Sequence, residues 1–124
     1  MHTVCQLKAF YRVALAAGVS DEDIGNLVTY LAKHPDAGVE LKGTGGCRKV
    51  RFAIRGNNKG KSGGGRTITL FSGEDLPLFL ITVFAKSQRI TLTKAECNKL
   101  RILSEDIVQE YARRVTPIAA GEGS

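Results

Sequence analysis

Residues Lys42 to Arg66 read KGTGGCRKVRFAIRGNNKGKSGGGR. The middle of this stretch alternates. Val50, Phe52 and Ile54 fall on one side of an extended chain, with Arg48 at the start. Lys49, Arg51 and Arg55 fall on the other, with Cys47 and Ala53 between them. A strand so patterned covers a core with one face and shows charge to solvent with the other. Gly43, Gly45 and Gly46 before it make a tight turn. Gly56 to Gly65 form a loop, and Arg66 to Phe71 return as a second strand. The pair is a hairpin with a long, basic, Gly-rich tip. Arg66 has the parity of Ile68 and Leu70, so it points coreward unless it lies past the sheet's edge or a bulge intervenes.

The same stretch holds Lys42, Arg48, Lys49, Arg51, Arg55, Lys59, Lys61 and Arg66, and no Asp or Glu. The chain has 18 Lys+Arg against 12 Asp+Glu, so without these eight the balance is 10 against 12. The basic character is therefore local. Concentrated positive charge on an otherwise balanced domain reads as a docking surface for a polyanion, RNA or DNA phosphates above all. The bland alternative is a solvated hairpin with solubilising lysines. It accounts for a few cations but not for the lack of acids over a whole hairpin, since ordinary surfaces mix signs.

Outward from the hairpin, the C-terminal side continues with a turn at Ser72 to Asp75 and then Leu78 to Ala85, LFLITVFA. That run is apolar on both faces and reads as the central strand. Thr93 with Glu96 forms a capping box opening a last helix, whose apolar face is Leu100, Leu103, Ile107 and Tyr111 with Val108 beside them. The helix should end near Arg114, before Pro117. On the N-terminal side, Thr3 to Leu7 reads as a short strand, and Phe10 to Ala17 as a helix with Phe10, Val13, Ala14 and Ala17 on one face. Ser20 and Asp23 cap a second helix striped by Ile24, Leu27, Val28 and Leu31, and His34-Pro35 ends it. Val39 and Leu41 make a short strand. The expected class is α+β: a small, mainly antiparallel sheet of three to four strands, with two N-terminal helices and a C-terminal helix packed on one face. Residues 1–114 form the single domain, and 115–124 are expected to be a disordered tail.

Bulk properties narrow the classes. At 124 residues the chain is one domain by length. No apolar run approaches a membrane span, and MHTVCQLKAF carries no signal-peptide pattern. The cytoplasm is the expected location. Cys5, Cys47 and Cys97 are odd in number and widely spaced, which suits free thiols and gives no zinc pattern. No cofactor is expected, and no acidic cluster suits Mg²⁺.

Gly56 to Ser62 approximates a P-loop but is one residue short and leads into a strand, where phosphate binding of that kind needs a helix N-terminus. Nucleotide hydrolysis is rejected on that ground. A Gly-rich amide nest beside Lys59 and Lys61 remains an unspecific phosphate cradle. His2, at a mobile terminus, and His34, at a helix end, read as bystanders. Phosphodiester cleavage would then rest on Lys and Arg, aided by Ser62 or a Thr. Such a site can work on RNA, where the 2′-hydroxyl is the nucleophile and cations stabilise the charge growing on phosphate. A lysine among cations can carry the proton. The stretch offers no aromatic stacking platform.

Gly43 to Phe52 (GTGGCRKVRF), Gly60 to Arg66 (GKSGGGR) and Leu80 to Lys86 (LITVFAK) together resemble the RelE/HigB-type toxins of bacterial toxin–antitoxin pairs. That pattern runs TGG-x-RK-x-R, GKSGG-x-R, a strand ending Tyr-Ala-Lys, and a Leu-Thr helix start, here Leu92-Thr93. His34-Pro35 and Gly38 also fit, so the resemblance spans about residues 3 to 112. It implies a RelE-like fold and an endoribonuclease, an mRNA interferase that inhibits translation, commonly on message held in the ribosome. It also implies a cognate helix-turn-helix antitoxin. Position by position, it assigns Lys49, Arg51, Lys61, Arg66 and Lys86 to the catalytic cleft. Lys42, Arg48, Arg55, Lys59 and Ser62 are the accompanying RNA-binding candidates. The sequence departs at Phe84, where Tyr is usual, and at Ser87, where Asn is usual. Phe84 cannot donate a proton. That departure favours a rival, a non-catalytic relative that binds RNA, ribosome or protein. A gyrase-inhibiting toxin is a second rival, against which the clustered cations argue.

Overall fold

The computed structural model describes residues 2–54, 64–85 and 92–123. In chain order they form β1 (Val4–Gln6), α1 (Lys8–Ala16), α2 (Asp21–Lys33), β2 (Val39–Glu40), β3 (Cys47–Phe52), β4 (Gly65–Leu70), β5 (Leu78–Ala85) and α3 (Lys94–Gly123). The strands make one sheet in the order β1-β5-β4-β3-β2, with β1 parallel to β5 and the other pairs antiparallel. The class is α+β as expected, but the sheet has five strands and is mixed. The short strands read at Thr3 to Leu7 and at Val39 and Leu41 both form, as β1 and β2 of three and two residues, and both join the sheet.

Helices cover both faces of the sheet, not one. On the first, Phe10 and Ala14 of α1 and Ile24, Leu27 and Leu31 of α2 pack on Val50, Leu78, Leu80 and Val83. On the second, Leu100, Ile107, Val108 and Tyr111 of α3 pack on Cys47, Leu70, Phe79 and their neighbours. A bulge in β5 makes this division possible. Ile68 pairs with Thr82 and Thr69 with Leu80, so Ile81 is an extra residue in the ladder. Odd-numbered Phe79 and Ile81 therefore share a face with even-numbered Phe84, which is why LFLITVFA reads as apolar throughout.

Both capping boxes form. The Ser20 hydroxyl accepts from the Asp23 amide and the Asp23 carboxylate from the Ser20 amide. Thr93 and Glu96 do the same at the start of α3. His34 is the C-cap of α2, just before Pro35. Val13 of α1, expected on the apolar face, is exposed. So is Leu103 of α3, at 39%, while Ser104 beside it is buried. The packed stripe of α3 is Cys97, Leu100, Ser104, Ile107 and Tyr111, and Ser104 occupies its centre because its hydroxyl shares a 3.2 Å hydrogen bond with the Cys47 thiol. α3 runs on to Gly123 and does not end near Arg114. A proline removes one N–H from a helix, and here the ladder continues past it. His2 is anchored, against expectation. Its Nε2 lies 2.7 Å from the Leu76 carbonyl and its ring meets Phe71 edge-on. No helix among the described residues is long and apolar enough to cross a membrane.

Candidate functional site: an open cationic row on the sheet

The site begins at the turn before β3. The buried Thr44 hydroxyl donates to the Leu41 carbonyl and accepts from the Cys47 amide at 3.2 Å. One side chain thereby closes the turn and starts the strand. Gly45, at φ +77°, lies under α3, where an added Cβ would stand 3.5 Å from Arg101 Cγ. The Thr-Gly-Gly sequence is thus the seat of α3 as well as a turn.

Register then sorts the side chains. Cys47 faces Leu70, and Leu70 faces Phe79. α3 crosses the sheet over this row. Lys49 faces Ile68 and Thr82, and Arg51 faces Arg66 and Phe84. Cross-strand partners share a face, so Lys49, Arg51 and Arg66 lie on the α3 side. They sit two and four residues beyond the row that the helix covers, which at the usual rise is about 7 and 14 Å. Lys49 and Arg51 are exposed there and Arg66 is half-buried. Arg66 does point toward the core side, as its parity requires, and is half-buried there beside the buried Phe84.

Among the described residues no carboxylate pairs with these three cations. The described ion pairs, Arg101–Glu105 and Arg113–Glu110, are both on α3. Among the described residues the Arg66 guanidinium donates to the Gly65 carbonyl, at 3.1 Å. Phe84 adjoins Arg66 and is 8% exposed, packed in the α3-side core. Thr82, half-buried between the Lys49 and Arg51 rows, joins the same face. The sequence hid it, because the bulge at Ile81 moves it out of the parity of Leu78 and Leu80. Its signal was a polar residue within an apolar strand.

Of the other candidates, the two that are described lie elsewhere. Arg48 lies on the α1–α2 side and donates to the Gly38 carbonyl at 3.2 Å. Lys42 is exposed in the turn beneath α3, at the far end of β3 from Arg66. Arg55, Lys59, Lys61, Ser62 and Lys86 lie outside the described residues. Cys5, Cys47 and Cys97 are free thiols, and burial pushes the Cys47 thiol up from its ordinary pKa, against the pull of its Ser104 hydrogen bond.

An α+β sheet with a basic row fits more than one family. The sequence comparison narrows it: the family described as "RelE toxin of RelE / RelB toxin-antitoxin system" matches residues 2–122. That match takes in the Thr44-Gly45-Gly46 turn, the cationic row and α3 together, and on its extent the chain belongs to the family of RelE toxins of toxin–antitoxin systems.

Proposed function

We propose that this protein is a messenger-RNA-cleaving toxin, an endoribonuclease that halts translation and is held in check by a helix-turn-helix antitoxin. The observation that carries the reading is the Lys49–Arg51–Arg66 row, three cations on an open face with no carboxylate partner among the described residues. Cations that no described carboxylate holds offer a polyanion its counter-charges without first having to be released from acids. Lys61 and Lys86 are assigned to the same site from the sequence pattern, with Arg55, Lys59 and Ser62 as further RNA contacts.

The chemistry asked of the site is modest. The RNA 2′-oxygen attacks the adjacent phosphorus and the 5′-oxygen leaves, giving a 2′,3′-cyclic phosphate. Arg51 and Arg66 would stabilise the charge that grows on the phosphate oxygens. The lysine is the proton carrier that the cluster offers: one proton leaves the 2′-hydroxyl and one reaches the departing 5′-oxygen. DNA lacks the nucleophile and is not a substrate on this reading. Message held in the ribosome, in the cytoplasm, is the intended target.

A second reading has one observation in its favour. Phe84, buried beside Arg66, has no proton to give, which suits a relative that binds RNA without cutting it. Induced expression in a bacterial host, with 5′ ends mapped, separates the two. Growth arrest with new ends inside translated regions is expected, and Lys49→Ala, Arg51→Ala or Arg66→Ala should each remove it while the protein stays folded. Arrest with intact messages would refute the nuclease reading and point to a protein target such as gyrase. No arrest from a folded wild-type protein would favour the non-catalytic relative.

A further inference from the structure

The cationic row accounts for the phosphates and leaves the bases unread. Beside it lies a cleft of about 320 Å³ between α2 and the end of β3, at the small end of the range for ligand pockets. β2 pairs only with Arg48 and Lys49, so among the described strands nothing flanks β3 beyond that point, and the cleft opens at this free edge. Leu27, Phe52 and Ala53 give it apolar walls. Arg51 lines it as well, so the cleft and the cationic row share a residue at this edge.

Two side chains of α2 give the cleft its chemistry. Tyr30 is 48% exposed, and its ring rests against His34 with centroids 5.1 Å apart. An exposed, propped aromatic ring in a cleft that an arginine also lines is what an unstacked base stacks upon. The sequence stretch around the cations holds no such platform; the fold brings one in from another element. Asn26 is exposed in the same lining, and its amide offers a donor and an acceptor side by side, the pairing that matches the adenine edge. Asp23, the one acid in the lining, has its carboxylate engaged with the Ser20 amide at 3.2 Å.

Building on the ribonuclease reading, we propose that this cleft is a base-specificity pocket. It holds one purine of single-stranded RNA, adenine in preference, next to a phosphate on Arg51 and Arg66. The base would stack on Tyr30, with Asn26 reading its edge and Arg51 joining base to backbone.

The test uses the full chain and short 2′-O-methyl oligonucleotides, which lack the nucleophile and cannot be cut. Anisotropy titrations compare oligo-A with oligo-C for wild type, Tyr30→Ala, Tyr30→Phe and Asn26→Ala. Wild type should bind oligo-A about tenfold more tightly, Tyr30→Ala should lose about tenfold on oligo-A, and Tyr30→Phe should restore it, as stacking on a ring predicts. Asn26→Ala should erase the difference between A and C while leaving the salt dependence as it is in wild type. Salt-dependent binding by wild type with no base preference, or with Tyr30→Ala unchanged, would overturn the pocket and leave the ribonuclease reading standing. Wild type that binds neither oligonucleotide would overturn both.

Discussion

Replacing Lys49, Arg51 and Arg66 together by Ala tests whether the open row binds phosphates. Each phosphate neutralised on a single strand contributes about 0.7 to the slope of log K against log salt. Three cations that each meet one phosphate therefore account for a slope of about 2, whatever the rest of the chain adds. Between about 50 and 200 mM salt, wild type should lose about 18-fold more affinity for single-stranded RNA than the triple variant does. Each single variant should reduce the slope by about 0.7. Lys94→Ala, at an exposed position at the start of α3, should leave the slope unaltered. The assay is anisotropy of a labelled 2′-O-methyl oligonucleotide across a salt series, with urea melts of every variant. Lys49 and Arg51 are exposed and unpaired among the described residues, so their removal should move stability by no more than about 0.5 kcal/mol. Folded variants with the wild-type slope would show that the row does not touch phosphate, and the argument from unpaired charge would fail with it.

Three further outcomes are expected. Phe84→Tyr places an O–H beside Arg66, and since a positioned proton donor is worth about 10²- to 10⁴-fold, cleavage of message should rise at least about tenfold; equal rates would show that the ring only packs. Thr44→Val leaves the Cys47 amide without its partner inside the protein and should cost about 1–3 kcal/mol in urea melts, because a buried donor loses its acceptor. Burial holds the Cys47 thiol protonated in the folded chain, while the unfolded chain ionises above about pH 8.5. That contribution is whole below this pH and is lost as pH rises toward the folded value. The stability advantage of wild type over Cys47→Ala should therefore shrink by up to about 1.4 kcal/mol per pH unit above it.

What the sequence disclosed was mostly local. Alternation in Cys47 to Phe52 and the apolar run Leu78 to Ala85 set out β3 and β5, and Ser20-Asp23 and Thr93-Glu96 marked two helix starts through bonds three residues apart. What it concealed depended on register. Arg51 meets Arg66 across a connection running from Ala53 to Gly64, and no pattern of residues states which positions such a loop brings face to face. Parity put Arg66 on the core side, which is correct, but whether that side is covered there depends on where α3 crosses. The extra residue at Ile81 likewise reverses the faces of β5 midway, so Thr82 and Phe84 come to the cationic side without a periodic signature. Tyr30 and Asn26 look like the solvated face of an ordinary helix until α2 is laid beside the free edge of β3.

The placement of α3 ties these parts together. One sheet face has to serve two ends: a core under the helix and an open row beyond it. The Cys47–Leu70–Phe79 row is apolar and the Arg51–Arg66–Phe84 row is cationic with one apolar member, so a helix displaced along the strands would bury charge and expose carbon. Gly45 supplies the positive φ of the turn beside the helix, and the Cys47–Ser104 hydrogen bond joins helix to sheet at that end. A Cβ at Gly45 would reach only ordinary contact distance from Arg101 and Ser104, so what the position requires of glycine is its positive φ. The turn therefore bears on the cations without touching them: it belongs to the end of the sheet face where α3 packs, and the exposed Lys49 and Arg51 lie further along the same face.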